Sequence, residues 1–95
     1  MYIVLLKFSD DRGQAGALME AHNTWLKRGF DEGAFILAGS LVPGLGGALL
    51  AQGMALDALR ERVDEDPFVA ANVVSAEILE IAPSKADARM QFLLS

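Results

Sequence analysis

Apolar and polar positions change rhythm along the chain, and each change marks an element. Residues 2–8 (Tyr-Ile-Val-Leu-Leu-Lys-Phe) are aliphatic, β-branched and aromatic over a length that suits a strand, and the polar cluster Ser9, Asp10, Asp11, Arg12, Gly13 ends it. From about residue 15 to residue 33 the apolar side chains recur at helical spacing, with Gly29, Asp31, Glu32 and Gly33 marking the C-terminal end. Residues 34–38 predict a second strand, closed by Gly39 and Ser40. A glycine-rich connection through Pro43, Gly44, Gly46 and Gly47 then returns the chain as a third strand over about 48–54. Ala55, Leu56, Ala58, Leu59 and Val63 repeat with helical period against Asp57, Arg60, Glu61 and Asp64, so a second helix runs to about Asp64 or Glu65. Asp66 precedes Pro67 and is pushed out of the α region, and residues 68–71 make a further short helical turn. Residues 73–81 alternate as a fourth strand. Pro83 stops it, and Ser84 is placed to cap a last short helix through Leu94.

The order β-α-β-β-α-β predicts an α+β, ferredoxin-like domain: a four-stranded antiparallel sheet with both helices on one face. At 95 residues the chain has room for one domain, with about 83–95 as a C-terminal extension. Just over half of the residues are apolar, more than one small core can hide, and the sheet's second face has no helix to cover it. A second copy packed sheet against sheet is the expected remedy, so a homodimer is predicted.

Composition narrows the chemistry. A net charge of −5 with scattered basic residues argues against nucleic acid as a partner. No apolar run approaches the ~20 residues of a membrane span, and the start of the chain lacks the build of a signal peptide, so a cytoplasmic protein is expected. The absence of cysteine excludes thiolate nucleophiles and zinc–thiolate sites. The glycine-rich connection joins two strands, whereas phosphate-cradling loops lie between a strand and a helix N-terminus.

The single histidine, His22, falls near the middle of the apolar arc of the first helix, opposite Glu20, Thr24, Lys27, Arg28 and Asp31. An inward imidazole must find a polar partner. One reading is a core histidine satisfied by a backbone carbonyl or a water. The other pairs it with Asp66, at the end of the second helix where Pro67 fixes a turn; such pairs set the tautomer and make a general base. Asp66 on its own also reads as a simple turn-former. Trp25, one turn beyond His22, and Ser40, at the end of the second strand, are further candidates for ligand contacts. A Ser-His-Asp triad through Ser40 lacks a nucleophile-elbow sequence. A metal on His22 and Asp66 would have only two protein ligands, so neither metal nor cofactor is expected.

Ala21-His22 within the first helix, Gly29 to Gly33 closing it, Ala38-Gly39-Ser40, the glycine-bearing hairpin, and Asp66-Pro67-Phe68 followed by Ala71 and Val73 resemble the YCII-related (YciI-like) family, over Tyr2 to about Ile81. The resemblance implies a dimeric α+β barrel with a His–Asp pair in a cleft of each subunit, carried over onto His22 and Asp66 as an acid/base site. It also implies a small, cyclic or aromatic, substrate. The chain departs from the family pattern at Ser40, where relatives often have Pro, at Asn72, where many have Gly, and in having no arginine close before His22. Two functions follow as expectations: an enzyme moving a proton on a small metabolite by lyase, isomerase or hydrolase-type chemistry, or a non-catalytic metabolite-binding or accessory module.

Overall fold

The structure is a computed structural model that describes residues 1–94. Its elements are β1 (Tyr2–Phe8), α1 (Ala15–Asp31), β2 (Phe35–Leu41), β3 (Gly46–Ala51), α2 (Leu56–Asp64), α3 (Pro67–Ala70), β4 (Val74–Glu80) and a 3₁₀ segment, Ala88–Leu94. The strands lie in the order β2-β3-β1-β4, and every neighbouring pair is antiparallel. This is the predicted ferredoxin-like α+β arrangement. Along β1 the helix-facing Tyr2, Val4 and Leu6 are buried, while Ile3 and Leu5 on the other face are only half covered. Val4, Leu49 and Ala51 from the sheet, Trp25 from α1, and Leu59 and Val63 from α2 join one core.

α1 ends two residues earlier than the periodicity predicts, for a backbone reason. Gly33 takes φ +75°, its N–H donates to the Phe30 carbonyl, and the Ala34 N–H donates to the Gly29 carbonyl. This pair of reversed bonds, with glycine in the left-handed conformation, is the common way to stop a helix. It folds the chain sharply back on α1, so that the ring of Phe35 lies directly on Gly29. A Cβ built on Gly29 would stand 2.1 Å from Phe35 Cδ2 and 2.8 Å from its Cγ. Gly29 is thus a packing glycine inside the helix, not a sign of its fraying.

β2 runs through Gly39 and Ser40, the residues expected to close it, to Leu41, and β3 begins at Gly46 and stops at Ala51 instead of Met54. Pairing across the hairpin (Ala38 with Leu49, Ser40 with Gly47, Leu41 with Gly46) sustains the strand where β propensity is poor. A β-bulge at Ile36 separates the Phe35–Ala51 and Leu37–Leu50 pairs. Side chains alternate faces along a strand, so the extra residue shifts the parity: Phe35 faces the helices before the bulge, and Ala38 and Ser40 face them after it. Carried across the sheet, the register aligns Ser40, Gly47 and Leu6 in one row and Ala38, Leu49 and Val4 in the next.

Asn72 sits between α3 and β4 with φ +59°. Asparagine is the side chain that best tolerates that left-handed conformation, so it suits the turn. In the tail the expected cap moves. Asp87, not Ser84, accepts the Arg89 N–H, and the side-chain and backbone hydrogen bonds from Arg89 hold the Asp87 carboxyl below its ordinary range. The 3₁₀ segment buries none of its residues and leaves Met90 and Leu94 more than a third exposed.

Candidate functional site

Helical spacing places Met19, His22, Asn23 and Leu26 of α1 on one face, above the hairpin end of the sheet. Between them lies a cavity of about 320 Å³, closed from the sheet side by Leu6, Phe8, Leu49, Val74 and the small residues Ala38, Ser40 and Gly47. Phe68 of α3 forms a further wall. The lining is mostly apolar, and no acidic side chain belongs to it. Such a cavity lies near the small end of the ~300–1,000 Å³ range of small-molecule sites.

His22 meets Asp66 behind this wall: Nδ1 is 2.7 Å from Asp66 Oδ1. Asp66 is fully buried, whereas the His22 side chain keeps 12 % of its surface open, at the cavity. The imidazole is therefore reached from the cavity, and the carboxylate is not. Asp66 is held by the local chain. It is the N-cap of α3, with Pro67 at the first helical position, and its Oδ1 accepts the Phe68 amide at 3.1 Å. Because Oδ1 is already an acceptor, the hydrogen in its contact with His22 is assigned to Nδ1 from the bonding pattern. Nε2 then carries the lone pair and has no protein hydrogen bond among the described residues. The same oxygen thus contacts both the helix-starting amide and the imidazole. Its second oxygen, Oδ2, is buried with no hydrogen-bond partner among the described residues, which makes the pair costly to keep in purely structural terms.

Two rings fix the imidazole in place. Phe68 stacks on it with centroids 4.2 Å apart and 11° between planes, and Trp25 lies 5.8 Å away at 28°. Trp25 backs the histidine without lining the cavity. Its ring is buried against Phe35, and Nε1 donates to the Arg62 carbonyl at 2.9 Å, so its indole is committed to the core. Ser40 does line the cavity, through the parity shift at Ile36. The structure thus brings His22, Asp66 and Ser40 to one place, with Trp25 a layer behind.

Three contributors went unassigned from sequence. Asn23 lines the cavity one residue from His22, and its spacing of four from Met19 and three from Leu26 was the available signal. Phe68 follows the cap by two residues, the position whose amide an N-cap side chain holds close. Gly47 has no sequence signal short of the strand register. Elsewhere, Asp64, Glu65 and Glu20 are exposed, and among the described residues no group of three or more His, Asp or Glu side chains comes together. No helix among the described residues is long and apolar enough to cross a membrane.

Comparison with solved structures finds the same fold in 5-chloro-2-hydroxyhydroquinone dehydrochlorinase from Burkholderia phenoliruptrix, solved in complex with 2,5-dihydroxybenzoquinone. The TM-score is 0.65 at 15% identity, with 85% of this chain and 93% of that chain covered. No curated protein matches in sequence. The family model for the YCII-related domain matches residues 1–83, that is, every element up to the end of β4, and the chain belongs to the YCII-related family.

Proposed function

We propose that the chain is a small-molecule enzyme in which His22, oriented by Asp66, moves a proton on a small cyclic or aromatic metabolite held in the cavity between α1 and the β2–β3 hairpin. The observation that carries this reading is the division of the imidazole: Nδ1 is tied at 2.7 Å to a buried carboxylate, Nε2 has no protein hydrogen bond among the described residues, and the side chain lines the apolar cavity. A fixed tautomer with a free basic nitrogen, backed by a charge that stabilises the imidazolium, is what a general base needs. The apolar walls suit a flat ring, and Ser40 and Asn23 supply hydrogen bonds to substituents. The fold-level neighbour acts on a chlorinated hydroxyhydroquinone and binds a dihydroxyquinone, which supports ring compounds with ionisable hydroxyls as the first to test. Lyase, isomerase and hydrolase-type reactions all use such a base.

The test is a titration of the protein with 2,5-dihydroxybenzoquinone, followed by nitrogen-detected NMR of the single imidazole, and a chloride-release assay on 5-chloro-2-hydroxyhydroquinone. Binding that perturbs Nε2 more than Nδ1, with turnover, is expected. Binding without turnover of any ring substrate would make the protein a metabolite-binding or accessory module. No perturbation at His22 would dismiss the site.

Asp66→Asn separates charge from geometry. The amide oxygen can still accept both the Phe68 N–H and the imidazole N–H, so the melting temperature is expected to stay within a few degrees of wild type and the tautomer to persist. Exchanging a charge-assisted for a neutral hydrogen bond forfeits roughly 1–1.5 kcal/mol, so kcat should fall about tenfold with KM little changed. An unaltered kcat would leave Asp66 as a helix cap alone.

The same reading includes a homodimer through the sheet face away from the helices, where Ile3, Leu5, Leu37, Leu50 and Leu79 stand together, with Leu37 and Leu79 about half exposed. Leu37→Lys adds a charge there without touching the core. It is expected to give a folded monomer in light scattering at concentrations where the wild type is dimeric. A wild type that is monomeric throughout would end the dimer proposal.

A further inference from the structure

We propose that Gly47, with Ala38 diagonal to it on the neighbouring strand, sets the width of the ligand this cavity accepts, limiting it to a single planar ring; the proposal rests on the reading of the cavity as the ligand site. The two adjacent glycines of β3 have different reasons to be glycine. Gly46 has φ +135°, and a Cβ there would stand 2.0 Å from the Leu6 carbonyl oxygen, so the backbone alone demands it. Gly47 has a milder demand. It is outside the left-handed region, and among the described residues the one atom within 4 Å of an added Cβ is the Gly39 carbonyl oxygen, at 3.3 Å, a tight contact that a shift of a few tenths of an ångström in β2 relieves. Glycine weakens a strand interior, where a β-branched residue would add propensity and burial.

What a side chain at Gly47 would occupy is the cavity. Gly47 is a lining residue, and the register puts it between Ser40 and Leu6 in the row facing α1. Ala38 lies on the same face in the adjacent row, beside Leu49. The small pair leaves a slot beneath His22 and Asn23 whose depth is governed by two Cβ-sized steps. The larger side chains of the same two rows, Val4, Leu49 and Leu6, are buried under the helices. Leu6 and Leu49 also border the cavity, so the small residues Gly47, Ala38 and Ser40 are the part of its sheet side that added bulk would change most. The substrate class this selects is a monocyclic ring whose substituents lie in its plane, with its edge toward Nε2 of His22.

Isothermal titration of wild type, Gly47→Ala and Gly47→Val with 2,5-dihydroxybenzoquinone and with its broader dichloro analogue, chloranilic acid, tests this, with thermal unfolding of each variant alongside. Gly47→Ala is expected to keep the smaller quinone and lose the broader one, and Gly47→Val to bind the smaller one at least about tenfold more weakly, since one methylene too many in a fitted pocket shifts binding by about 10–200-fold. Neither should lower the melting temperature by more than a few degrees. Should Gly47→Val fail to fold, Ala38→Val puts the same bulk into the slot from the edge strand and replaces it. Equal affinities across folded variants would overturn the proposal while leaving the cavity reading standing. A wild type that binds neither quinone would overturn both.

Discussion

His22→Gln is expected to leave the protein folded and to abolish turnover. Glutamine is close to histidine in reach, and its amide can donate to Asp66 Oδ1 where Nδ1 does, so the buried carboxylate keeps a partner. What is lost is the lone pair at Nε2, together with stacking on Phe68. A positioned general base is worth about 10²–10⁴ in rate, or roughly 3–5 kcal/mol of transition-state stabilisation. The loss should therefore fall on kcat, while KM for a ring substrate changes only as far as the imidazole face contributed to binding. Steady-state kinetics on the substrate found by the chloride-release assay, with circular dichroism to verify the fold, makes the comparison. A His22→Gln enzyme within a factor of a few of wild type would eliminate acid/base chemistry at this residue.

The largest effect on stability is expected at Gly29. Alanine is the better helix former by about 1 kcal/mol, so by propensity alone Gly29→Ala should stabilise α1. Packing opposes this. The added methyl would lie 2.1 and 2.2 Å from two ring carbons of Phe35 and 2.8 Å from its Cγ, so the whole ring must move. That ring is 2 % exposed and is bounded by Trp25 at 5.1 Å and Phe30 at 6.2 Å, so it has little room to do so. Overpacking of this kind costs about 1–3 kcal/mol and occasionally more, and here the upper end applies. The net loss of about 2 kcal/mol corresponds to a melting temperature roughly 8–16 °C lower in a domain of this size. Pairing the change with Phe35→Leu should restore most of the loss, a coupling that a double-mutant cycle reads directly. An unchanged or raised melting temperature for Gly29→Ala would mean that Phe35 repacks at little cost.

The fold was largely legible in the sequence because its signals are local and redundant. The 2–8 run, the helical period of α1 and α2, and Asp66-Pro67 each specify an element without reference to the others. The errors came where pairing outweighs propensity. Gly39, Ser40, Gly46 and Gly47 look like loop residues, yet the β2–β3 ladder holds them in strands. The site was half legible. His22 stands out as the single histidine, set on an apolar helix face, and Asp66 by the proline that fixes its cap. Trp25 shares the face of His22 but is drawn into the core by the Arg62 carbonyl and Phe35, a partnership no spacing rule contains. Asn23 and Gly47 matter only through the surfaces they meet across the cavity, and those surfaces exist only after the sheet has formed.

The bulge at Ile36 makes β2 a strand with a reading frame. Upstream of it odd-numbered residues face the helices, and downstream even-numbered ones do, because Ile36 is an extra residue between two consecutive pairs of the ladder. Deleting Ile36 would set Leu37 directly after Phe35, still opposite Leu50, so Ala38 and Ser40 would keep their places facing the cavity. The strand thus carries one residue in reserve. A loss at this place is absorbed by straightening the ladder, whereas the same loss inside β3, which pairs with β1 without a break, would turn its side chains over. Length variation among lineages that keep the pocket should therefore gather at position 36 and spare β3.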